Sequence, residues 1–128
     1  MENSIIDLII RIKNGYLSRK ETIVSPFSNF KKLLLIKLKD LGYIKDFQVE
    51  GEKIKKLNIE LLYKDGQPVL SDIKIVSTPG ARKYASYRDL KPVLNNFGFM
   101  ILSTPKGILT NKEARRVKLG GELLFEIW

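Results

Sequence analysis

Within residues 103–128 the chain changes character several times, and each change leaves few conformations open. Ser103-Thr104-Pro105-Lys106-Gly107 is a polar run ending in glycine, a loop in which backbone can come close to a partner. Thr110-Asn111-Lys112-Glu113 places a hydroxyl three residues before a glutamate. In that spacing each side chain can bond the other residue's backbone N–H, so a helix is predicted to start near Asn111. The helix carries Arg115, Arg116 and Lys118 and is expected to stop at Gly120-Gly121, two glycines free to take positive backbone angles. Leu123, Leu124, Phe125, Ile127 and Trp128 then read as an apolar final strand.

The 128 residues, 44% of them hydrophobic, suffice for one domain or two small subdomains with a packed core. No run approaches the roughly 18 apolar residues of a membrane helix, and Met1-Glu2-Asn3-Ser4 lacks the basic start of a secretory signal. A protein of an aqueous compartment, with no membrane partner, is therefore expected. The chain has no Cys and no His, which removes disulfides, thiolate metal sites, zinc-type clusters and the usual general base near neutral pH. There is also no nucleophile elbow or phosphate loop, so no catalytic residue, metal or cofactor is expected and the chain does not read as an enzyme.

The net charge is +9, and residues 78–118 hold most of it, with nine basic side chains against Asp89 and Glu113. Basic residues interleaved with Tyr84, Tyr87, hydroxyls and glycines form the footprint of a nucleic-acid surface, where the bland alternative is a solvated basic face.

Along the chain, Ser4 can cap a first helix whose apolar face is Ile5, Leu8, Ile9, Ile12 and Tyr16. Arg11 and Asn14 fall on another stripe, where they can face a partner, although Asn14-Gly15 reads equally well as a helix end. Thr22-Ile23-Val24 is a short extended segment. A second helix opens at Ser25-Pro26 or Ser28, with Phe30, Leu33, Leu34, Leu38 and Leu41 as its core face and Gly42 as its end. Lys31 and Lys32 fall on its polar side, where lysines are by themselves more often solvated than ligands. Residues 43–49 and 57–63 are strand candidates joined as a hairpin, and Asp65-Gly66-Gln67-Pro68 is the best turn and boundary signal. The expected architecture is α+β: an N-terminal helix-strand-helix-hairpin subdomain over 1–66 and a mostly β subdomain with a short helix over 67–128. In the latter, residues 70–76, 82–85 and 98–103 read as strands, Thr78-Pro79-Gly80 as a turn and residues 89–94 as a short helical connection.

The candidate RNA chemistry follows from A-form geometry. Base edges lie in a deep, narrow groove, so proteins read shape, phosphates, 2′-hydroxyls and displaced bases. Ser103, Thr104 and Thr110 offer hydroxyls, Lys106 a charge and Gly107 close backbone approach, while Thr110 also reads as a helix cap. Arg82, Arg115 and Arg116 suit phosphates. Gly121 reads first as structural, and Glu122 can accept from base amino groups or form a plain salt bridge. Tyr84 is by itself more often a half-buried sheet aromatic than a stacking platform.

These residues carry a resemblance. Ser103-Thr104-Pro105-Lys106-Gly107-Ile108-Leu109-Thr110, Glu113-Ala114-Arg115 and Gly120-Gly121-Glu122-Leu123-Leu124 are similar to the C-terminal signature of the bacterial-type family of the eighth protein of the small ribosomal subunit. Three further blocks stand in the family's order: Asp7 to Asn14, Leu41-Gly42-Tyr43-Ile44, and Ser77-Thr78-Pro79-Gly80-Ala81-Arg82-Lys83-Tyr84. Pro105 stands where the family usually has Ser, Leu109 where Met is usual, and Phe125-Glu126 where Cys and an aromatic are common.

The resemblance implies binding to the central domain of small-subunit ribosomal RNA (rRNA) during assembly, contacts with neighbouring ribosomal proteins and, in some members, with their own mRNA. It turns Tyr84 toward base stacking and brings Arg11, Asn14, Lys31, Lys32, Gly121 and Glu122 into the candidate RNA-binding set. It also implies a bacterial cytoplasmic ribosome, or that of a mitochondrion or plastid. A DNA regulator with residues 110–118 as recognition helix is one competing reading, but that helix is only about two turns long and lacks a partner helix at helix-turn-helix spacing. The other, a hydrolytic enzyme using a Ser with a Lys or a carboxylate pair, lacks its motifs.

Overall fold

The computed structural model describes residues 3–128; Met1 and Glu2, read above for a secretory signal, lie outside them. The fold is α+β. It resolves into two compact units, Asp7–Leu70 and Ser71–Trp128, the first residues of the opening helix grouping with the latter.

In the unit Asp7–Leu70, α1 (Asn3–Leu17) is followed by β1 (Thr22–Pro26), α2 (Asn29–Asp40), β2 (Asp46–Glu50) and β3 (Lys56–Glu60). The three strands form an antiparallel sheet in the order β1-β3-β2, with Ile23 opposite Ile59 and Phe47 opposite Ile59 on the other side. Period-two alternation turns Ile23, Leu57 and Ile59 inward, and Leu8, Ile9, Ile12, Leu34, Leu35 and Leu38 are buried with them. Both strands of the expected hairpin are shorter than residues 43–49 and 57–63 suggested. Tyr43 and Ile44 are buried before β2 begins, and residues 61–62 leave the ladder.

The apolar face of α2 differs from the sequence reading. Lys31, Leu34, Leu35 and Leu38 are buried, as their spacing along one helical stripe requires, whereas Leu33 sits about 100° away from Leu34 and is 53% exposed. Leu41 and Phe30 are only partly buried. Ser28 caps the helix by accepting from Lys31 N at 3.1 Å. Gly42, at φ +84°, follows the helix end as expected.

Asp65-Gly66 is a hairpin turn. Both residues have positive φ (52° and 76°), the primed geometry that matches strand twist, and they join β4 (Tyr63–Lys64) to β5 (Gln67–Pro68) within this unit. Its last residue is Leu70.

In the unit Ser71–Trp128 a sheet is ordered β6-β10-β8-β9, from β6 (Ile73–Ile75), β10 (Gly121–Ile127), β8 (Phe99–Thr104) and β9 (Gly107–Thr110). The two-residue β7 (Tyr84–Ala85) also pairs with β10. β10 is central because it is the longest strand, it is apolar, and Leu124, Phe125 and Ile127 are buried. α3 (Asn111–Val117) lays Ala114 against Leu102 and Leu90. Residues 89–94 are not the expected helical connection: a single 3₁₀ turn, Tyr87–Asp89, is capped by Ser86, and Pro92 lacks the N–H that would continue it.

The end of α3 corrects a second reading. Lys118 takes the left-handed conformation at φ 58°, and its N–H bonds Arg115 O at 3.3 Å. Among the described residues, neither Gly120 nor Gly121 has positive φ. They are glycines because backbone occupies the place of a side chain. A Cβ on Gly120 would lie 2.9 Å from Ser86 Cα, and one on Gly121 would lie 2.9 Å from the carbonyl carbon of Ser103.

Candidate nucleic-acid interface

The close approach at Gly121 assembles the candidate site. Glu122 stands opposite Tyr84 of β7 on one side and opposite Ser103 of β8 on the other. Directly opposed residues share a sheet face, so Tyr84, Glu122 and Ser103 form one row across three strands. Tyr84 is 66% exposed, which leaves its ring open at the edge of that row.

From Ser103 the chain runs into the Thr104–Gly107 turn between β8 and β9. The Thr104 hydroxyl donates to Gly107 O at 2.8 Å and accepts from Lys106 N at 3.2 Å. It closes the turn on itself. Gly107 takes φ +100° with no atom within 4 Å of where a Cβ would be, so the turn needs glycine for its angle and leaves open space beside it. Pro105 and Lys106 are exposed.

Thr110 is placed differently. It is 2% exposed, its hydroxyl accepts from Glu113 N at 3.2 Å, and its own N–H donates to Glu113 Oε1 at 3.0 Å. The capping box read from the sequence is complete, and it turns this hydroxyl inward, toward the helix. Arg116 is exposed near the C-terminus of α3, where a cation also complements the helix dipole. Arg115, although exposed, donates from Nη1 to Leu90 O at 2.9 Å and so ties the helix to the preceding segment.

Arg82 is exposed on a loop held by the buried Ser77, whose hydroxyl accepts from Lys83 N at 2.9 Å and donates to Lys83 O at 3.3 Å. Asn111, also buried, accepts from Met100 N at 3.2 Å and donates to Lys91 O at 3.1 Å. Sequence reading missed the roles of both. Ser77 stood within a family block and Asn111 within the capping run, but their partners lie in other segments and carry no local signal.

A second group lies in the unit Asp7–Leu70. Arg11 and Asn14 line an open groove of about 380 Å³ together with Ser18, Lys20, Thr22 and Ile23. The Arg11 guanidinium is held by Asp7 Oδ2 at 2.8 Å and by the Val24 carbonyl at 3.1 Å. Lys32 is exposed.

Lys31 departs from the polar side expected for it. It is 3% exposed, and Nζ donates to Ser25 Oγ at 3.2 Å and to Pro26 O at 3.1 Å. Burial pushes its pKa down, Asp7 pulls it back up and Arg11 pushes it down again. Among the described residues no cluster of His, Cys, Asp or Glu could hold a metal, and no helix is long and apolar enough to cross a membrane.

Residues 3–128 match the family model described as ribosomal protein S8. The chain belongs to the ribosomal protein S8 family. Members similar to it include small ribosomal subunit protein uS8 of Mycoplasma mobile, 45% identical over 97% of this chain and 94% of that protein. The uS8 protein of Paramagnetospirillum magneticum is 42% identical over 100% and 98%. Protein uS8c of Tupiella akineta is 41% identical over 98% of each chain. The names of these S8-family relatives are those of ribosomal proteins and not of enzymes.

Proposed function

We propose that this chain is a structural constituent of the small ribosomal subunit, binding directly to the central domain of its rRNA and helping to assemble it. Neighbouring small-subunit proteins are its other partners. Its place is the ribosome of a bacterium, or that of a mitochondrion or plastid. The observation that carries the RNA contact is the row Tyr84–Glu122–Ser103 beside the Thr104–Gly107 turn. An exposed aromatic, a carboxylate acceptor, hydroxyls and open backbone meet there within the unit whose residues 78–118 hold nine basic side chains against two acidic ones.

Ser103, Lys106 and Gly107 face phosphate and ribose, Tyr84 stacks on a displaced base, and Arg82 and Arg116 contribute charge. Gly121 acts by letting the Ser103 backbone come near. Arg115 reaches phosphate only with the part of its guanidinium not spent on Leu90. Thr110 acts from within, capping the helix that carries Arg115 and Arg116. In the other unit Arg11, Asn14 and Lys32 offer a secondary contact, and Lys31 supports it by holding Ser25 and the Pro26 carbonyl in place. An RNA surface that recognises shape also accepts another RNA of the same shape, which extends the proposal to the chain's own mRNA.

The test is binding of the full chain to a central-domain rRNA fragment over a range of salt. Each neutralised phosphate contributes roughly 0.7 to 0.9 to the slope of log K against log salt. Several such contacts are expected, and the mRNA leader is expected to compete. A slope near zero overturns the RNA reading, and an mRNA leader that does not compete removes the extension.

A further inference from the structure

One feature of the unit Ser71–Trp128 lies outside the row described above. Leu94, Asn95 and Asn96 are three successive residues in the left-handed region, at φ 47°, 53° and 72°. Asn tolerates that region because its short amide can bond locally, but Leu does not, and a run of three is rare outside glycine-rich turns. The turn is nevertheless firmly closed. Phe97 N donates to Leu94 O at 3.0 Å, and Gly98 N donates to Val93 O at 3.1 Å.

Its base is anchored as well. A Cβ on Gly98 would lie 2.7 Å from Ile127 O and 2.9 Å from Trp128 Cβ, so the turn springs directly from the end of the central strand β10. The tip it presents is Asn95-Asn96 followed by Phe97, a residue 68% exposed.

A phenylalanine has no polar end to reward exposure. One exposed apolar residue is ordinary, but here Phe97 and the 54% exposed Leu94 flank two exposed amides on a strained, anchored turn, and such outliers cluster at ligand sites. Aromatic ring plus amide is the chemistry that holds an unpaired nucleobase: the ring stacks on its face, and donors and acceptors meet its edge. The charge of the surrounding chain selects the occupant. Residues 78–118 carry a net +7, and Lys91 is exposed three residues before Leu94, which favours a polyanion over a basic ribosomal protein.

We propose that the 94–97 turn is a further RNA contact, in which the Phe97 ring stacks on one unpaired rRNA base and Asn95 and Asn96 bond its edge. The inference rests on the rRNA-binding reading and adds a site to it.

The experiment measures the affinity of the full chain for complete small-subunit rRNA, with melting temperature followed alongside. Phe97→Ala is expected to weaken binding by about fivefold or more, as loss of one stacked base does, with Phe97→Trp within about twofold of the original. Asn95→Gly with Asn96→Gly keeps the positive angles and removes the amides, and is expected to weaken binding about threefold or more. Unchanged affinity in Phe97→Ala overturns the inference, whether or not the melting temperature falls. So do crosslinks from Phe97 to a protein rather than RNA in the assembled subunit. Lys106→Ala separates the two readings. A response at Lys106 with none at Phe97 removes the turn alone, whereas no response at either position, with a flat salt dependence, removes the RNA reading beneath it.

Discussion

Gly121 and Ser103 approach so closely that a Cβ on the glycine would strike the Ser103 carbonyl oxygen and lie 2.9 Å from its carbonyl carbon. This contact between β10 and β8 holds the row of Glu122, Tyr84 and Ser103 in place, and backbone atoms on both sides leave it no room to relax.

Gly121→Ala is accordingly expected to destabilise the protein by roughly 1 to 3 kcal/mol, the usual cost of overpacking, and to weaken rRNA binding. Denaturant unfolding and a binding titration check the two effects together. Stability unchanged within about 0.5 kcal/mol would mean the strands separate freely and the glycine does not shape the site.

Thr110→Ala removes one half of the capping box and should cost about 1 kcal/mol, while Thr110→Ser should restore most of it. Because Thr110 is buried, rRNA affinity at fixed salt is expected to stay within about twofold in both variants. A clear loss of affinity in the Ala variant that Ser restores, at a temperature where both are fully folded, would show that the hydroxyl touches RNA itself.

The two arginines of α3 should separate. Arg116→Ala is expected to lower the salt slope by about 1 with stability unchanged, since it is an exposed charge. Arg115→Ala should also lose about 0.5 to 1.5 kcal/mol, the worth of its hydrogen bond to Leu90 O. Equal stability in both variants would count against a structural part for Arg115.

Tyr16 predicts an alkaline limit for the unit Asp7–Leu70. Its hydroxyl donates to Tyr43 O at 2.6 Å and accepts from Leu62 N at 3.1 Å. Burial raises its pKa from 10.0 to about 12, the Leu62 N–H opposes the shift, and Tyr63 adds to it. The folded state therefore keeps a proton that the unfolded chain releases above pH 10. The stabilisation is complete below pH 10 and is lost as pH rises to about 12, at up to about 1.4 kcal/mol per pH unit. Tyr16→Phe should flatten that decline and cost roughly 1 to 3 kcal/mol at neutral pH by removing both of these buried hydrogen bonds. An unchanged alkaline profile in the variant would assign the decline to other groups.

Much of this was legible locally. The capping box at Thr110 and Glu113, the inward alternation of Leu57 and Ile59, and the face of α1 through Leu8, Ile9 and Ile12 each depend on residues a few positions apart. The reading of Gly120-Gly121 went wrong in an instructive way. A glycine after a helix has two explanations, a positive φ or a close neighbour, and only the position of Ser103 and Ser86 tells them apart. Lys31 is a similar case, since its inward turn depends on Ser25 and Pro26 in β1.

The sequence by itself determined the class of fold and the basic character of residues 78–118, because periodicity, capping and charge are properties of nearby residues along the chain; the family came from the resemblance of its motif blocks. Tertiary structure alone decided which polar groups remain open. It spends Arg115 on the Leu90 carbonyl, Asn111 on Met100 and Lys91, and Lys31 on the neighbouring strand, while leaving Tyr84 and Phe97 outside. A polar side chain offers a partner only the donors and acceptors that no internal group has claimed, and claims such as that of Leu90 on Arg115 come from segments that the fold alone brings together.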